Sequence, residues 1–269
     1  MKLFYRHFGE GRPVIILHGI FGISDNWVTL GKRLAEKFSV YIPDQRNHGQ
    51  SPHSPTFNYY ALAEDLHEFI HEHGLERPVI IGHSMGGKVA MSYALEHPEM
   101  VEKLVVVDIS PRRYHGRNVH FDMINAMMAV NFDAVHSRDE IARLLEASIP
   151  SKRIRLFVMK NLYRKTKTTF DWRLNLEALS ANLDYVFGWE ENTGAFDGPA
   201  LFVRGGKSDY ILDEDIPLIR RMFPQAEIET IPKASHWVHA EAPAELCRQF
   251  SLFLGKECVI PDFTAEAED

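Results

Sequence analysis

Gly82-His83-Ser84-Met85-Gly86 sets one serine between two glycines, a spacing suited to nucleophilic catalysis. A serine hydroxyl attacks a carbonyl well only when the backbone exposes it and a base takes its proton. The apolar run Val79–Ile81 leads straight into Ser84, and the helical pattern Met85–Leu95 follows it. A strand-to-helix turn this sharp strains the serine backbone and lifts its Oγ off the sheet edge. The residues two before and two after are forced close together and have no room for a Cβ, a need that Gly82 and Gly86 meet. The free N–H groups and positive dipole end of the new helix then lie where an oxyanion would form. The five-residue pattern alone arises by chance in many chains; the strand before it and the helix after it make it specific.

An oxyanion hole needs two N–H groups aimed at one point. Met85, directly after the nucleophile, is the first candidate. The second is Ile20, in His18-Gly19-Ile20-Phe21-Gly22, where Gly19 allows close backbone approach. His18 reads as a buttress of that loop. Phe21 and His83 are candidate substrate-binding residues. The general base should follow nucleophile and acid in chain order. Among 14 histidines, His236 stands out because Lys233-Ala234-Ser235-His236-Trp237 lies between the last strand and the last helix. His239 is its near competitor. Two acids remain open. Asp108 ends the run Leu104–Val107, and Asp209 follows the run Ala200–Val203. The usual Gly-x-x-Asp spacing, counted from Gly205, falls on Ser208, one residue short of Asp209; this favours Asp108, with Asp209 as the alternate.

The elements that must carry these residues are legible as well. Val14–Leu17, Val79–Ile81, Leu104–Val107 and Ala200–Val203 are apolar without alternation, as strands buried on both faces are. Ser39–Ile42 and Glu227–Ile231 are further strands, and Lys2–Phe8 is an outer antiparallel one. Trp27, Leu30, Leu34 and Phe38 share one helix face, with Ser24 or Asp25 as candidate caps. Leu62, Leu66, Phe69 and Ile70 share another, capped by Asn58; Pro243–Leu254 is the last helix. Strand and helix alternate, so the chain is α/β, with a mostly parallel sheet of about eight strands and helices on both faces. Residues 111–196 break the rhythm with helical patches and no strong buried strand. They read as a helical cap inserted into a core of 1–110 and 197–255, and 256–269 reads as an acidic C-terminal tail. The basic residues of the cap, Arg138, Arg153 and Arg155 among them, read as an ordinary charged surface. Met123, Met127, Met128, Phe132, Leu156, Phe157, Leu162, Tyr163 and Trp172 are candidates for an acyl pocket, although packing of the cap's own core accounts for most such residues.

Pro43-Asp44-Gln45-Arg46-Asn47-His48-Gly49-Gln50-Ser51 resembles the D-x-R-x-H-G-x-S loop of many α/β-hydrolases. Its Asn47, together with Gly82 to Lys88 (G-H-S-M-G-G-K), is similar to bacterial short-chain carboxylesterases and acyl-CoA thioesterases of the YbfF type, whose eukaryotic relatives are mitochondrial. Val107-Asp108-Ile109-Ser110-Pro111 and His236-Trp237-Val238-His239-Ala240-Glu241 extend the resemblance over about residues 14–255, least specifically in the cap. The resemblance implies an α/β-hydrolase fold, hydrolysis of small esters or thioesters without a cofactor, and an acid at Asp108. Members often lack an acid in the segment that here holds Asp209, which keeps both candidates in play.

Other readings have their own residues. His67-Glu68-Phe69-Ile70-His71 matches the zinc-protease helix motif H-E-x-x-H, but it lies at the margin of a helix whose core face is already assigned. Serine at position 84 argues against dehalogenases and epoxide hydrolases, which use Asp there; cofactor-free haloperoxidases and carbon–carbon bond hydrolases keep serine. A non-catalytic ligand receptor on the same fold is a further class. The formal net charge of −7 gives no footprint for nucleic acid or an anionic membrane. Cys247 and Cys258 have neither metal nor redox spacing and read as free thiols of a reducing compartment. With no signal-like N-terminus and no apolar run of about 20 residues, the cytoplasm is the expected location. Substrate identity and oligomeric state are not legible.

Overall fold

The computed structural model describes residues 1–115, 118–189 and 194–255. The expected acidic tail and Cys258 lie outside the described residues, and the described Cys247 is a buried free thiol. The core elements run β1 (Tyr5–Phe8), β2 (Pro13–Leu17), α1 (Val28–Leu34), β3 (Ser39–Pro43), α2 (Tyr59–Glu72), β4 (Val79–His83), α3 (Met85–Glu96) and β5 (Lys103–Val107). The next segment holds α4 (Asn118–Met128), α5 (Arg138–Leu144), α6 (Lys152–Met159), β6 (Leu162–Arg164), β7 (Phe170–Trp172), α7 (Leu176–Ala181) and α8 (Leu183–Phe187). The core resumes with β8 (Ala200–Gly205), α9 (Ile216–Met222), β9 (Ala226–Ile231), α10 (Val238–Glu241) and α11 (Pro243–Leu254).

The main sheet has the order β1-β3-β2-β4-β5-β8-β9; β1 pairs antiparallel at the edge and every other pair is parallel. It has seven strands rather than about eight among the described residues. All the runs read as strands form them; the extra one came from the general fold and has no residues of its own in the sequence. The unbroken apolar runs have a direct cause. Along β2, Ile15 and Leu17 enter one hydrophobic cluster with Leu66 of α2 and Val89 of α3, while Val14 and Ile16 enter another with Leu34 of α1 and Phe250 of α11. β5 divides the same way: Leu104 and Val106 face the first cluster, Val105 and Val107 the second. Both faces are dry, so neither can carry polar residues; each such side chain contributes about 1.5–3 kcal/mol when fully buried.

Trp27, Leu30, Leu34 and Phe38 are buried as their spacing predicts, but neither Ser24 nor Asp25 caps the helix. A 3-10 turn over Ser24–Trp27 precedes α1; Asp25 is drawn to Arg6, and the Asn26 side chain accepts the Ile23 N–H instead at 2.8 Å. Asn58 does cap α2, accepting the Ala61 N–H at 2.8 Å.

The segment between β5 and β8 contains a short hairpin, β6 against β7, which the sequence did not signal. Three-residue strands are too short to show a period of two. Arg138 donates to the carbonyls of Met159 (2.6 Å) and Leu162 (2.9 Å), and Arg155 to those of Ile149 and Pro150 (2.7 Å each). These cations therefore close helix ends and turns. The segment is tied to the core by Lys88, a buried residue of α3 whose Nζ donates to the carbonyls of Val186 (3.5 Å), Phe187 (3.3 Å) and Gly188. Burial and the nearby Arg112 and Arg113 push Lys88 down to about 6, while the carbonyls and the ring faces of Tyr59 and Tyr114 favour its cation.

Candidate active site

Ser84 and Asp108 stand at the same level of the sheet, each one residue beyond its strand. The Ser84 N–H continues the ladder to the Val107 carbonyl (3.0 Å) and the Asp108 N–H to that of Val203 (2.8 Å). Both have left-handed backbones, φ 52° and 53°, unusual for residues with a side chain and costing of order 1 kcal/mol or more each. The flanking glycines are required by contact. A Cβ on Gly82 would overlap the Gly86 carbonyl oxygen, and one on Gly86 would come within 2.5 Å of the Leu17 carbonyl oxygen.

His236 lies after β9, in the loop before α10. Its Nε2 is 3.0 Å from Ser84 Oγ and its Nδ1 is 2.8 Å from Asp108 Oδ2. The other Asp108 oxygen accepts the Gly205 N–H at 2.9 Å, and Ser208 donates its hydroxyl to Oδ2. A Cβ on Gly205 would collide with the backbone carbonyls of Ala234 and Ser235, so glycine there lets the histidine loop approach β8. Asp209 is exposed, and the carboxylate on His236 is that of Asp108. Ser208, at the position where the usual spacing expects an acid, donates its hydroxyl to Asp108 instead. Tyr210 stacks on the imidazole, with ring centroids 3.8 Å apart. Neither Ser208 nor Tyr210 was singled out from the sequence as part of the site.

Five imidazoles surround this point. Burial pushes His18 down to about 4, His83 and His48 to about 3, and His239 well below the ordinary value, so all four are neutral. Of the five, His236 alone contacts a carboxylate. His18 accepts the Gln45 N–H at Nε2 (3.0 Å) and is paired with the Gly19 carbonyl at Nδ1 (2.9 Å), the buttressing place its position suggested. His83 lines the cavity over Ser84, but its Nε2 also meets the His236 carbonyl at 2.8 Å, so it steadies the His236 backbone. His239 stacks on Trp27 at 4.5 Å.

Ile20 and Phe21 both line that cavity. Gly19 runs against Ser84: a Cβ there would be 3.1 Å from Ser84 Cβ. Among the described residues the N–H groups of Ile20 and Met85 have no hydrogen-bond partner, whereas the Phe21 N–H is taken by His48 Nε2 at 3.3 Å. The loop that carries His48 thus has identifiable duties. Arg46 grips Asp65 of α2 (2.5 and 2.8 Å), Asn47 Oδ1 accepts from Asn175 (3.0 Å), and His48 reaches the Phe21 backbone.

The cavity is narrow, about 50 Å³, and largely apolar, with Met123, Ile154 and Phe157 among its walls. It shares Asn26, Ile154, Phe157, Trp237 and His239 with an outer groove of about 200 Å³ that Leu156 and Lys160 also line. Of the nine candidates for an acyl pocket, Met123 and Phe157 border the cavity and Leu156 the groove. Trp172 belongs to the interior of the inserted segment, with Nε1 on the Met127 carbonyl at 3.0 Å. The H-E-x-x-H pair lies on α2, where His67 packs against His71 and against His97 after α3, and Glu68 meets the N-terminal ammonium. Among the described residues no group of three or more His, Cys, Asp or Glu is arranged to hold a metal ion, and no helix is long and apolar enough to cross a membrane.

A serine on a strained strand-to-helix turn, a histidine on it and a buried aspartate behind define one structural class, and the sequence comparison agrees: residues 12–243 match the α/β-hydrolase fold family, and the chain belongs to it. It is similar to the sn-1-specific diacylglycerol lipase ABHD11 of Danio rerio, 38% identical over 252 residues, covering 91% of this chain and 79% of that protein. It is also similar to esterase YbfF of Escherichia coli K12, 34% identical over 242 residues, covering 90% and 92%. A solved marine microorganism esterase superposes with a TM-score of 0.91 at 41% identity, covering 94% of this chain and 99% of that one. The resemblance carried by Asn47 and by Gly82 to Lys88 is therefore borne out.

Proposed function

We propose that the protein is a serine carboxylesterase for small carboxylic esters, with thioesters as a second substrate class, acting through Ser84, His236 and Asp108. The continuous chain Ser84 Oγ–His236–Asp108, at 3.0 and 2.8 Å, carries this reading. His236 takes the hydroxyl proton as Oγ attacks the carbonyl. The N–H groups of Ile20 and Met85 receive the oxyanion. His236 then protonates the departing alcohol or thiol, and water, activated by the same base, releases the acid from the acyl-enzyme. Asp108 holds the imidazole tautomer and offsets the imidazolium charge; Asp209 has no part in it. Residues 111–196 form a cap whose Met123 and Phe157 limit the acyl group, and the outer groove holds the other half of the substrate. The esterase and lipase relatives support the ester class.

The narrow inner cavity gives the first test. With p-nitrophenyl esters from acetate to decanoate, kcat/KM is expected to be greatest for the shortest chains and to fall as methylenes are added, each mismatched one costing about 1–3 kcal/mol. An organophosphonate should label Ser84 alone. Turnover of no ester at any length would overturn the reading.

The acid gives the second test. Burial pushes the Asp108 carboxyl up to about 6, against the pull of Ser208 and Gly205. Catalysis needs it ionised, so the active form is lost as pH falls through about 6, the direction set by a raised carboxylate. Wild-type kcat/KM is expected to drop about tenfold per unit below that point. A profile flat from pH 7.5 to 4.5 would rule out the His236–Asp108 pair as the acid–base couple.

A further inference from the structure

We propose that Asn161 is a positioning residue for the oxyanion loop, holding Phe21 from the cap so that the oxyanion hole is complete only with the cap seated. The proposal rests on the serine-hydrolase reading above. Asn161 lies between α6 and β6 and is fully buried. Its Nδ2 donates to the Phe21 carbonyl at 2.8 Å and to the Val158 carbonyl at 3.2 Å. Its Oδ1 is buried with no partner among the described residues. Those contacts fix the amide orientation, since a rotated amide would set an oxygen against two carbonyls. A buried acceptor without a partner is costly, and an apolar side chain of equal size would remove it. What asparagine supplies here is its pair of N–H groups, one of them given to the oxyanion loop.

Phe21 is a residue that needs holding. Its φ is 61°, in the left-handed region that a bulky side chain rarely adopts. The core holds its N–H through His48, and the cap holds its carbonyl through Asn161. Ile20, the candidate donor, is the preceding residue and shares its carbonyl group with the Phe21 peptide bond. If Phe21 relaxes toward negative φ, the Ile20–Phe21 peptide plane turns, and the Ile20 backbone must adjust to it, which re-aims the Ile20 N–H carried on the adjoining Gly19–Ile20 plane. Oxyanion donors act only when aimed at the developing charge, so the loss should appear in the transition state and not in substrate binding. Asn161 does not itself line the cavity, so its influence passes through Phe21.

The test uses the full chain with p-nitrophenyl acetate. Asn161→Leu keeps the size and removes both donors; Asn161→Asp keeps the shape and sets acceptors where donors were. Both are expected to lower kcat/KM about 10- to 100-fold, part of the 100- to 1000-fold typical of losing a donor outright, with KM within about threefold. The affinity for a trifluoromethyl ketone, whose Ser84 adduct carries an oxyanion, should fall by the same factor as kcat/KM, while inhibition by acetate should not change. Arg155→Ala, which removes cap-internal bonds to Ile149 and Pro150, controls for stability: its Tm should fall while kcat/KM stays within about twofold. Folded Asn161 variants with near wild-type kcat/KM would overturn the proposal. So would a loss that Arg155→Ala reproduces, or two Asn161 variants that both fail to fold. If Ser84→Ala keeps wild-type turnover, the serine-hydrolase reading fails and takes this proposal with it. If Ser84→Ala is inactive and the Asn161 variants are not, this proposal fails alone.

Discussion

Ser84→Ala is expected to lower kcat on p-nitrophenyl acetate by about 10⁴- to 10⁶-fold while leaving the fold and Tm unchanged. The hydroxyl is the only group removed, and alanine meets the same backbone cost at φ 52° as serine does. His236 would keep Asp108 but lose the proton it is placed to take. The residues act as one unit, so adding His236→Ala to Ser84→Ala should cost little more; removing either member already ends acyl transfer. A residual rate of about 10³- to 10⁴-fold above the uncatalysed reaction should persist from the oxyanion donors and substrate binding. Steady-state kinetics of both single variants and the double variant, with Tm as the folding control, measure this. Retention of more than about a hundredth of wild-type kcat in Ser84→Ala would mean that another group attacks the carbonyl, whatever the geometry at Ser84.

The second large effect separates the two acids. Asp108→Asn should cost about 10⁴-fold in kcat, and Asp209→Asn should stay within about threefold of wild type. The network around Asp108 gives the reason. The Gly205 N–H is a fixed donor at 2.9 Å and requires an oxygen opposite it. An asparagine there must therefore turn its Oδ1 to Gly205 and its NH₂ to His236. The imidazole then has to accept at Nδ1 and carry its proton on Nε2, where it faces Ser84 as a donor and cannot act as a base. Asp209 lies exposed beyond Ser208, and the carboxylate on His236 Nδ1 is that of Asp108. Measuring both variants side by side at pH 8, above the acid limb, isolates the tautomer effect. Equal and mild losses would rule out both acids.

Sequence alone determined the parts of this protein that depend on local chemistry and short-range pattern. A serine between two glycines, after an apolar run and before a helix, allows few backbone paths, so Ser84 and the turn around it were legible. The buried strands were legible because both sheet faces exclude polar residues, and Asn58 was legible as a cap because its side chain meets an N–H three residues on. His236 was singled out by its place in chain order, between the last strand and the last helix. Choices that depend on residues meeting across long stretches of chain were left to the tertiary structure. Asp108 is 128 positions from His236, and only the adjacency of β5 and β8 puts its carboxylate, rather than that of Asp209, behind the imidazole. Ser208, Tyr210 and Asn161 carry no motif: a serine, a tyrosine or an asparagine has the same local signature wherever it stands. Their significance comes from partners at distances of 100 and 140 positions for Ser208 and Asn161, which no window of sequence contains.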